Sequence, residues 1–114
     1  MLLYHVVFVC KYRRKALIDI ESDLKDSILN IASKSDNEVV EMECDKNHIH
    51  LLIKRQPKIS ILSIVKRLKQ ETTWQIWEQK ESHIRKYYWG KRTLWSDGYF
   101  CNTIGNISKE MVID

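Results

Sequence analysis

His48 and His50 are the residues of this 114-residue chain whose type and spacing point most directly to chemistry. They lie in the run Lys46-Asn47-His48-Ile49-His50-Leu51-Leu52-Ile53-Lys54. Side chains alternate between the two faces of a strand, so both imidazoles share one face while Ile49, Leu51 and Ile53 point to the other. Two neutral imidazoles with Cβ atoms about 7 Å apart can converge on one divalent cation. Two ligands alone hold a metal weakly, and a His-x-His strand also fits a polar face with satisfied histidines, so the rest of the chain must decide.

Glu38 to Asp45, just before the histidines, alternates, with Val40, Met42 and Cys44 on one face and Glu41, Glu43 and Asp45 on the other. If Lys46-Asn47 is a two-residue hairpin turn, Asp45 pairs with His48 and Glu43 with His50, and paired residues share a face. That register puts Val40, Met42 and Cys44 on the core side with Ile49, Leu51 and Ile53. It excludes Cys44 as a ligand and offers Glu43 or Asp45 as a third ligand or an orienting partner, unless they are simply solvated.

The remaining elements follow from periodicity. Leu3 to Cys10 is β-branched and aromatic on both faces, as in a central strand covered on both sides. From Asp19 to about Ser33, Ile20, Leu24, Ile28 and Ile31 recur at helical spacing. Ser60 is a fair N-cap for a helix to about Gln79 with Ile61, Ile64, Val65, Leu68, Thr72 and Ile76 facing inward. A turn at Asp97-Gly98 leads into a last strand ending near Ile104. Strand, helix, strand, strand, helix, strand is the split βαβ order of an α+β, ferredoxin-like antiparallel sheet with two helices on one face. The histidines then fall on the bare face, which a C-terminal helix or a second subunit would cover, because Leu52 and part of the first strand are apolar there.

Composition narrows the class. The formal charge is +4, from 19 Lys and Arg against 15 Asp and Glu, and the pI is about 9.0, which permits a polyanionic partner. The cations cluster. Lys11-Tyr12-Arg13-Arg14-Lys15 places four around an aromatic at a strand end, and the outer face of the second helix carries Lys66, Arg67 and Lys69. Residues 82–93 again mix cations with aromatics, a composition that suits single-stranded nucleic acid, where bases stack and phosphates pair. Solvated loop and helix faces account for the same charges equally simply. Cys10, Cys44 and Cys101 are odd in number and lack framework spacing, which reads as reduced core thiols of a cytoplasmic protein. There is no apolar run long enough for a membrane span and no leader pattern. Near the end, Ser108 opens a helix with Glu110 in its first turn, yet the chain stops at Asp114.

Four stretches together resemble the single-tyrosine HUH transposases of IS200-like and REP-associated insertion sequences. They are Tyr4-His5-Val6-Val7-Phe8-Val9-Cys10-Lys11-Tyr12-Arg13-Arg14-Lys15, Asn47-His48-Ile49-His50-Leu51-Leu52, Ile64-Val65-Lys66-Arg67-Leu68-Lys69, and Leu94-Trp95-Ser96-Asp97-Gly98-Tyr99-Phe100 with Thr103-Ile104-Gly105-Asn106. The resemblance implies one domain over 1–114, with Mg2+ or Mn2+ on His48 and His50 polarising a scissile phosphate in single-stranded, hairpin-bearing DNA. A tyrosine of the C-terminal helix attacks that phosphate, giving a phosphotyrosine intermediate, and the protein is a homodimer. Lys11, Tyr12, Arg13, Arg14, Lys66, Arg67, Lys69 and Trp95 are the residues expected to contact DNA. The nucleophile would fall about two turns into the helix opened by Ser108, so it is expected just beyond Asp114 and the 114-residue chain is expected not to cleave. Two other classes remain open: a non-catalytic ferredoxin-like nucleic-acid-binding module, and a small metal-binding or regulatory domain.

Overall fold

A computed structural model describes residues 2–55 and 60–105. Its framework is a four-stranded antiparallel sheet of β1 (Leu2–Val9), β2 (Asn37–Cys44), β3 (His48–Arg55) and β4 (Phe100–Gly105), in the order β2-β3-β1-β4. Helices α1 (Glu21–Ala32) and α2 (Ile61–Gln79) connect it in the split βαβ manner, and a short α3 (Glu81–Ile84) follows α2. The ferredoxin-like α+β expectation therefore holds, and α3 and a single turn of 3-10 helix at Lys11–Arg13 are additions to it.

One core lies between the helices and one sheet face. Tyr4, Val6 and Phe8 of β1 and Ile49, Leu51 and Ile53 of β3 are buried with Leu24, Ile28 and Ile31 of α1 and Val65, Leu68 and Ile76 of α2. The helical stripes are those the spacing predicts, with Trp77 added. Glu21 and Asp23 sit in the first turn of α1, where negative charge meets the positive end of the helix dipole. Ser60 caps α2 as expected, its hydroxyl oxygen accepting from the backbone N–H groups of Leu62 at 3.2 Å and Ser63 at 3.5 Å.

The segment after α3 is pinned to α2 through buried polar contacts. Trp95 Nε1 donates to Thr72 Oγ1 at 2.9 Å, Thr72 Oγ1 donates to the Leu68 carbonyl at 2.6 Å, and Trp77 Nε1 donates to the Thr93 carbonyl at 2.8 Å. These partners allow large indoles with polar N–H groups to enter the core without an unmet donor.

The expected register of the β2-β3 hairpin is present at its turn, where Glu43 pairs with His50, Cys44 with Ile49, and Asp45 N donates to the His48 carbonyl at 2.8 Å. Farther from the turn the alternation breaks. Val39 pairs with Ile53 and Glu41 with Leu52, leaving Val40 as an extra residue, a β-bulge. Val40 is therefore 44% exposed, and Val39 takes the core-side place that strict alternation assigns to Val40. The C-terminal helix expected from Ser108 lies outside the described residues.

The bulge distinguishes two adjacent valines. Val39→Thr should cost about 1–2 kcal/mol, because it sets a hydroxyl against the core, whereas Val40→Thr should change stability by less than about 0.5 kcal/mol. Urea unfolding of the two variants checks this, and equal losses would contradict the register.

Candidate functional site

The face of the sheet away from the helices carries the histidines, and strand pairing sets their neighbours. Across one row lie Glu43, His50, Val7 and Phe100, and across the next Glu41, Leu52, His5 and Asn102. His48 pairs with Val9 at the end of β1, two residues before the basic loop begins at Lys11. His5 thus stands diagonally beside His50. This third histidine escapes a reading of the His-x-His strand alone. Its signal was its place in β1, where it falls out of phase with the core residues Tyr4 and Val6.

The rings of His48 and His50 are 5.0 Å apart at 75° to one another. His48 Nδ1 lies 2.8 Å from Asn47 Oδ1, and its Nε2 lies 4.0 Å from Asp45 Oδ2. His50 Nδ1 lies 3.0 Å from His5 Nε2. Each His-x-His ring is therefore held at Nδ1, and each keeps Nε2 for another partner. That donor set suits a borderline divalent cation held through imidazole nitrogen, and a harder ion would need oxygen ligands beside it, so the residues fit two positions of a metal centre. Among the described residues no cluster of three His, Cys, Asp or Glu side chains is arranged to hold an ion. His5 is accordingly a partner of His50 rather than a third ligand. Asp45, whose Oδ1 accepts from the Lys46 N–H at 2.7 Å, and Glu43, opposite His50, supply negative charge on the β2 flank.

The sheet end at His48 is also where the basic loop is fastened. Cys10 N donates to the Asn47 carbonyl at 2.8 Å and Leu17 N to the Lys46 carbonyl at 3.0 Å. Tyr12 and Arg13 both adopt left-handed backbone, with φ of 60° and 54°. For residues other than glycine this costs on the order of 1 kcal/mol each and needs outside support. Arg14 supplies it. Its guanidinium donates to the Tyr87 carbonyl and lies 4.9 Å from the Tyr12 ring, 5.5 Å from Tyr88 and 4.6 Å from Trp89. Tyr12 and Trp89 stay 70% and 67% exposed beside it.

The other expected DNA contacts divide sharply. Lys66 remains on the exposed face of α2, beside a cavity of about 620 Å3 that α2 forms with residues 92–99 and that contains none of the histidines. Arg67 pairs with Glu71 at 2.7 Å and donates to Ser35 Oγ at 3.0 Å. Lys69 Nζ donates to the carbonyls of Ser96, Asp97 and Gly98 at 2.7, 2.9 and 3.2 Å. Burial lowers its pKa against the opposing pull of Asp97. Lys11 reaches Asp97 at 4.0 Å. Trp95 is 5% exposed against Phe8, so its ring is part of the core and offers no stacking face. Buried Cys10 has its thiol pushed up to about 12 by desolvation, which makes it an inert core residue, while Cys44 and Cys101 are half-buried and in no disulfide.

The surroundings of His50 disfavour its charged form. Desolvation, and then the neighbouring His48 and His5 rings, lower its pKa from the ordinary 6.5, against the opposing pull of Glu43 and Asp45. The unfolded chain therefore binds this proton more readily, so the stability that neutral His50 contributes is complete above about 6.5 and declines as pH falls toward the lower folded value. In chelator-treated protein, His50→Gln should flatten the loss of stability between neutral pH and pH ~5, measured by urea unfolding against pH. An unchanged slope would contradict the assigned shift.

Comparison with known proteins agrees with this architecture. Residues 1–114 match the family described as Transposase IS200 like. The transposase for insertion sequence element IS200 of Salmonella typhimurium is 34% identical over 103 residues, which is 90% of this chain and 66% of that protein. The chain thus spans just under two thirds of the length of the IS200 relatives it matches. The ISDra2 transposase TnpA of Deinococcus radiodurans is 29% identical over 110 residues, covering 96% of this chain and 77% of the relative. A crystal structure from Deinococcus radiodurans described as a transposase superposes with a TM-score of 0.82 at 30% identity, over 91% of this chain and 79% of the other. A REP-associated tyrosine transposase bound to a REP hairpin shares the fold, with a TM-score of 0.67 at 13% identity over 92% of this chain and 57% of the other. With its split βαβ sheet and paired histidines on the open face, the chain belongs to the IS200-like transposase family.

Proposed function

We propose that this chain is the DNA-holding and metal-holding part of a single-tyrosine HUH transposase that acts on single-stranded, hairpin-bearing DNA at element ends. One observation carries the reading: the His48/His50 pair and the strained cation-aromatic loop of residues 11–14 meet at the same end of the sheet, since Val9 pairs with His48 and Cys10 hydrogen-bonds to Asn47. A phosphodiester lying there has imidazole donors on one side and cations with an exposed aromatic on the other. His48 and His50 would hold Mg2+ or Mn2+ through Nε2, and the ion, when bound, supplies Lewis-acid polarisation of the scissile phosphate. Lys11, Arg13 and Lys15 neutralise the strand backbone, while Tyr12 and Trp89 offer stacking faces to unpaired bases. In the reaction a tyrosine oxygen bonds to phosphorus as the P–O3′ bond breaks, leaving a phosphotyrosine and a free 3′-OH. Two copies of the chain form the working assembly and cover the apolar part of the open face.

In this reading none of the five tyrosines makes that attack. Tyr4 lies on the core face with its hydroxyl accepting from Arg55 at 2.7 Å. Tyr88 is buried, its hydroxyl donates to the Lys11 carbonyl at 2.7 Å, and desolvation raises its pKa. Tyr12 packs on Arg14, Tyr87 on His83 and Tyr99 near Lys69. The nucleophile in this reading is a tyrosine other than these, and the 114-residue chain binds without cleaving.

Two measurements test this. Anisotropy with a fluorescent hairpin-bearing single strand should show binding that weakens steeply with salt, and Tyr12→Ala or Trp89→Ala should each lose about 10-fold in affinity. Binding without salt dependence would favour the metal-binding or regulatory alternative. Incubation of the 114-residue chain with that DNA and Mn2+ should give no covalent adduct, and an adduct mapped to any of the five tyrosines would contradict the proposal.

A further inference from the structure

We propose that Asn47 and His5 are positioning residues that fix the tautomers of His48 and His50, so that both rings present a lone pair at Nε2 to the open face. The inference rests on the metal-holding reading above for its purpose and for the choice of donor between His5 and His50, while the ring contacts themselves are independent of it.

A neutral imidazole carries one N–H and one lone pair, and the partner of one nitrogen decides the state of the other. For His48 the partner is Asn47. The amide of Asn47 reaches the Arg13 carbonyl with Nδ2 at 3.5 Å, and a carbonyl can only accept. Reversing the amide would set oxygen against oxygen there, so Oδ1 is the atom turned to His48 Nδ1 at 2.8 Å. An amide oxygen has no proton to give. His48 Nδ1 must then be the donor, and its Nε2 holds the lone pair. Asp45 Oδ2, 4.0 Å from that Nε2, is too far for a hydrogen bond that would claim it for a proton.

For His50 the partner is another imidazole. The ring planes of His5 and His50 differ by 11°, their centroids are 5.1 Å apart, and the closest nitrogens are separated by 3.0 Å. A nitrogen contact that short at that centroid distance requires the two nitrogens to lie nearly on the line between the rings. The rings therefore meet edge to edge in almost one plane, as N–H···N partners, and not face to face. His5 can accept at Nε2 while keeping its own proton on Nδ1. His50 then donates from Nδ1, and its Nε2 matches that of His48. The reverse arrangement would put a proton on His50 Nε2, the one nitrogen left for a cation, beside the His48 ring. A ligating histidine characteristically donates its remote N–H to a fixed acceptor, and loss of such an acceptor weakens metal binding by about 10–100-fold. His5 fills this place with a neutral acceptor, adding no charge of its own, which is compatible with its absence from any three-ligand cluster among the described residues.

The test is a long-range 1H–15N correlation of the histidine rings in chelator-treated protein above pH 7. His48 and His50 should both appear as Nδ1–H tautomers. His5→Phe should move His50 toward the Nε2–H form with the backbone spectrum preserved, whereas His5→Gln, whose side-chain oxygen accepts, should retain it. Asn47→Leu should do the same to His48, and Asn47→Asp should retain its Nδ1–H. Titration with Mn2+ alone should then show an affinity about 10–100-fold lower in His5→Phe and substantially restored in His5→Gln. An Nε2–H tautomer on either ring of the unsubstituted protein, or no response of His50 to His5→Phe, overturns the proposal. If the tautomers are as stated but the protein takes up no Mn2+, the metal-holding reading fails while the positioning of the two rings stands.

Discussion

The pairing of β1 with β3 is the constraint on which the rest of the structure depends. It sets Val9 against His48, Val7 against His50 and His5 against Leu52, with Val6, Phe8, Ile49, Leu51 and Ile53 sealed under the helices at 0% exposure. A slip of β3 by one residue would expose Ile49, Leu51 and Ile53 and drive His48 and His50 into the apolar layer. Each exposed aliphatic side chain alone would cost about 1.5–3 kcal/mol. The positions of the imidazoles are therefore inherited from core packing on the other side of the sheet. No local feature of the open face has to hold them in register, which leaves that face free to be polar, shallow and accessible.

Charge on the open face is divided in the same way. Glu41 and Glu43 of β2 and Asp45 of the turn after it lie beside the histidines, while Lys11, Arg13 and Lys15 gather past the end of β1. Within the proposed function, a divalent cation is favoured on the first flank and a phosphate on the second. The remaining cations serve the scaffold to a degree that their number conceals. Lys69 satisfies three carbonyls of the Ser96–Gly98 loop, Arg67 ties α2 to Ser35, and Arg14 stabilises the left-handed turn at Tyr12 and Arg13. Loss of DNA binding on replacing Lys69 would report a collapsed loop as readily as a lost phosphate contact.

Much of this was legible in the chain. Periodicity gave both long helices and the Ser60 cap, and the two-residue turn gave the Glu43–His50 pairing, because these depend on contacts between near neighbours in sequence. The errors share a different cause. Val40 exchanged places with Val39 because a bulge is an extra residue that alternation cannot announce. Trp95 sits near the Lys69 loop and looks like a stacking surface in a basic, aromatic sequence, yet Thr72, 23 residues away, offers its indole a buried acceptor. His5 was missed as a partner because its relation to His50 exists only across 45 residues of chain and one strand pairing. Short-range rules read elements well, and the fate of a polar side chain depends on which distant group meets it.

Asn47 is where these separate features join. Its carbonyl accepts from Cys10 N, its amide nitrogen faces the Arg13 carbonyl, and its amide oxygen faces His48. One residue therefore joins the hairpin turn, the strained basic loop and the first histidine. A displacement of Arg13 large enough to release the amide would leave Oδ1 free to turn, and the state of His48 Nδ1 would no longer be set. The reverse also holds, since a ring fixed through Nε2 fixes Asn47 and with it the carbonyl that follows the two left-handed residues. Were the loop and the histidine coupled in this way, linkage would make the effect reciprocal. The backbone strain at Tyr12 and Arg13 thus does more than present an exposed aromatic, because it directs the Arg13 carbonyl toward the one amide that also governs the histidine.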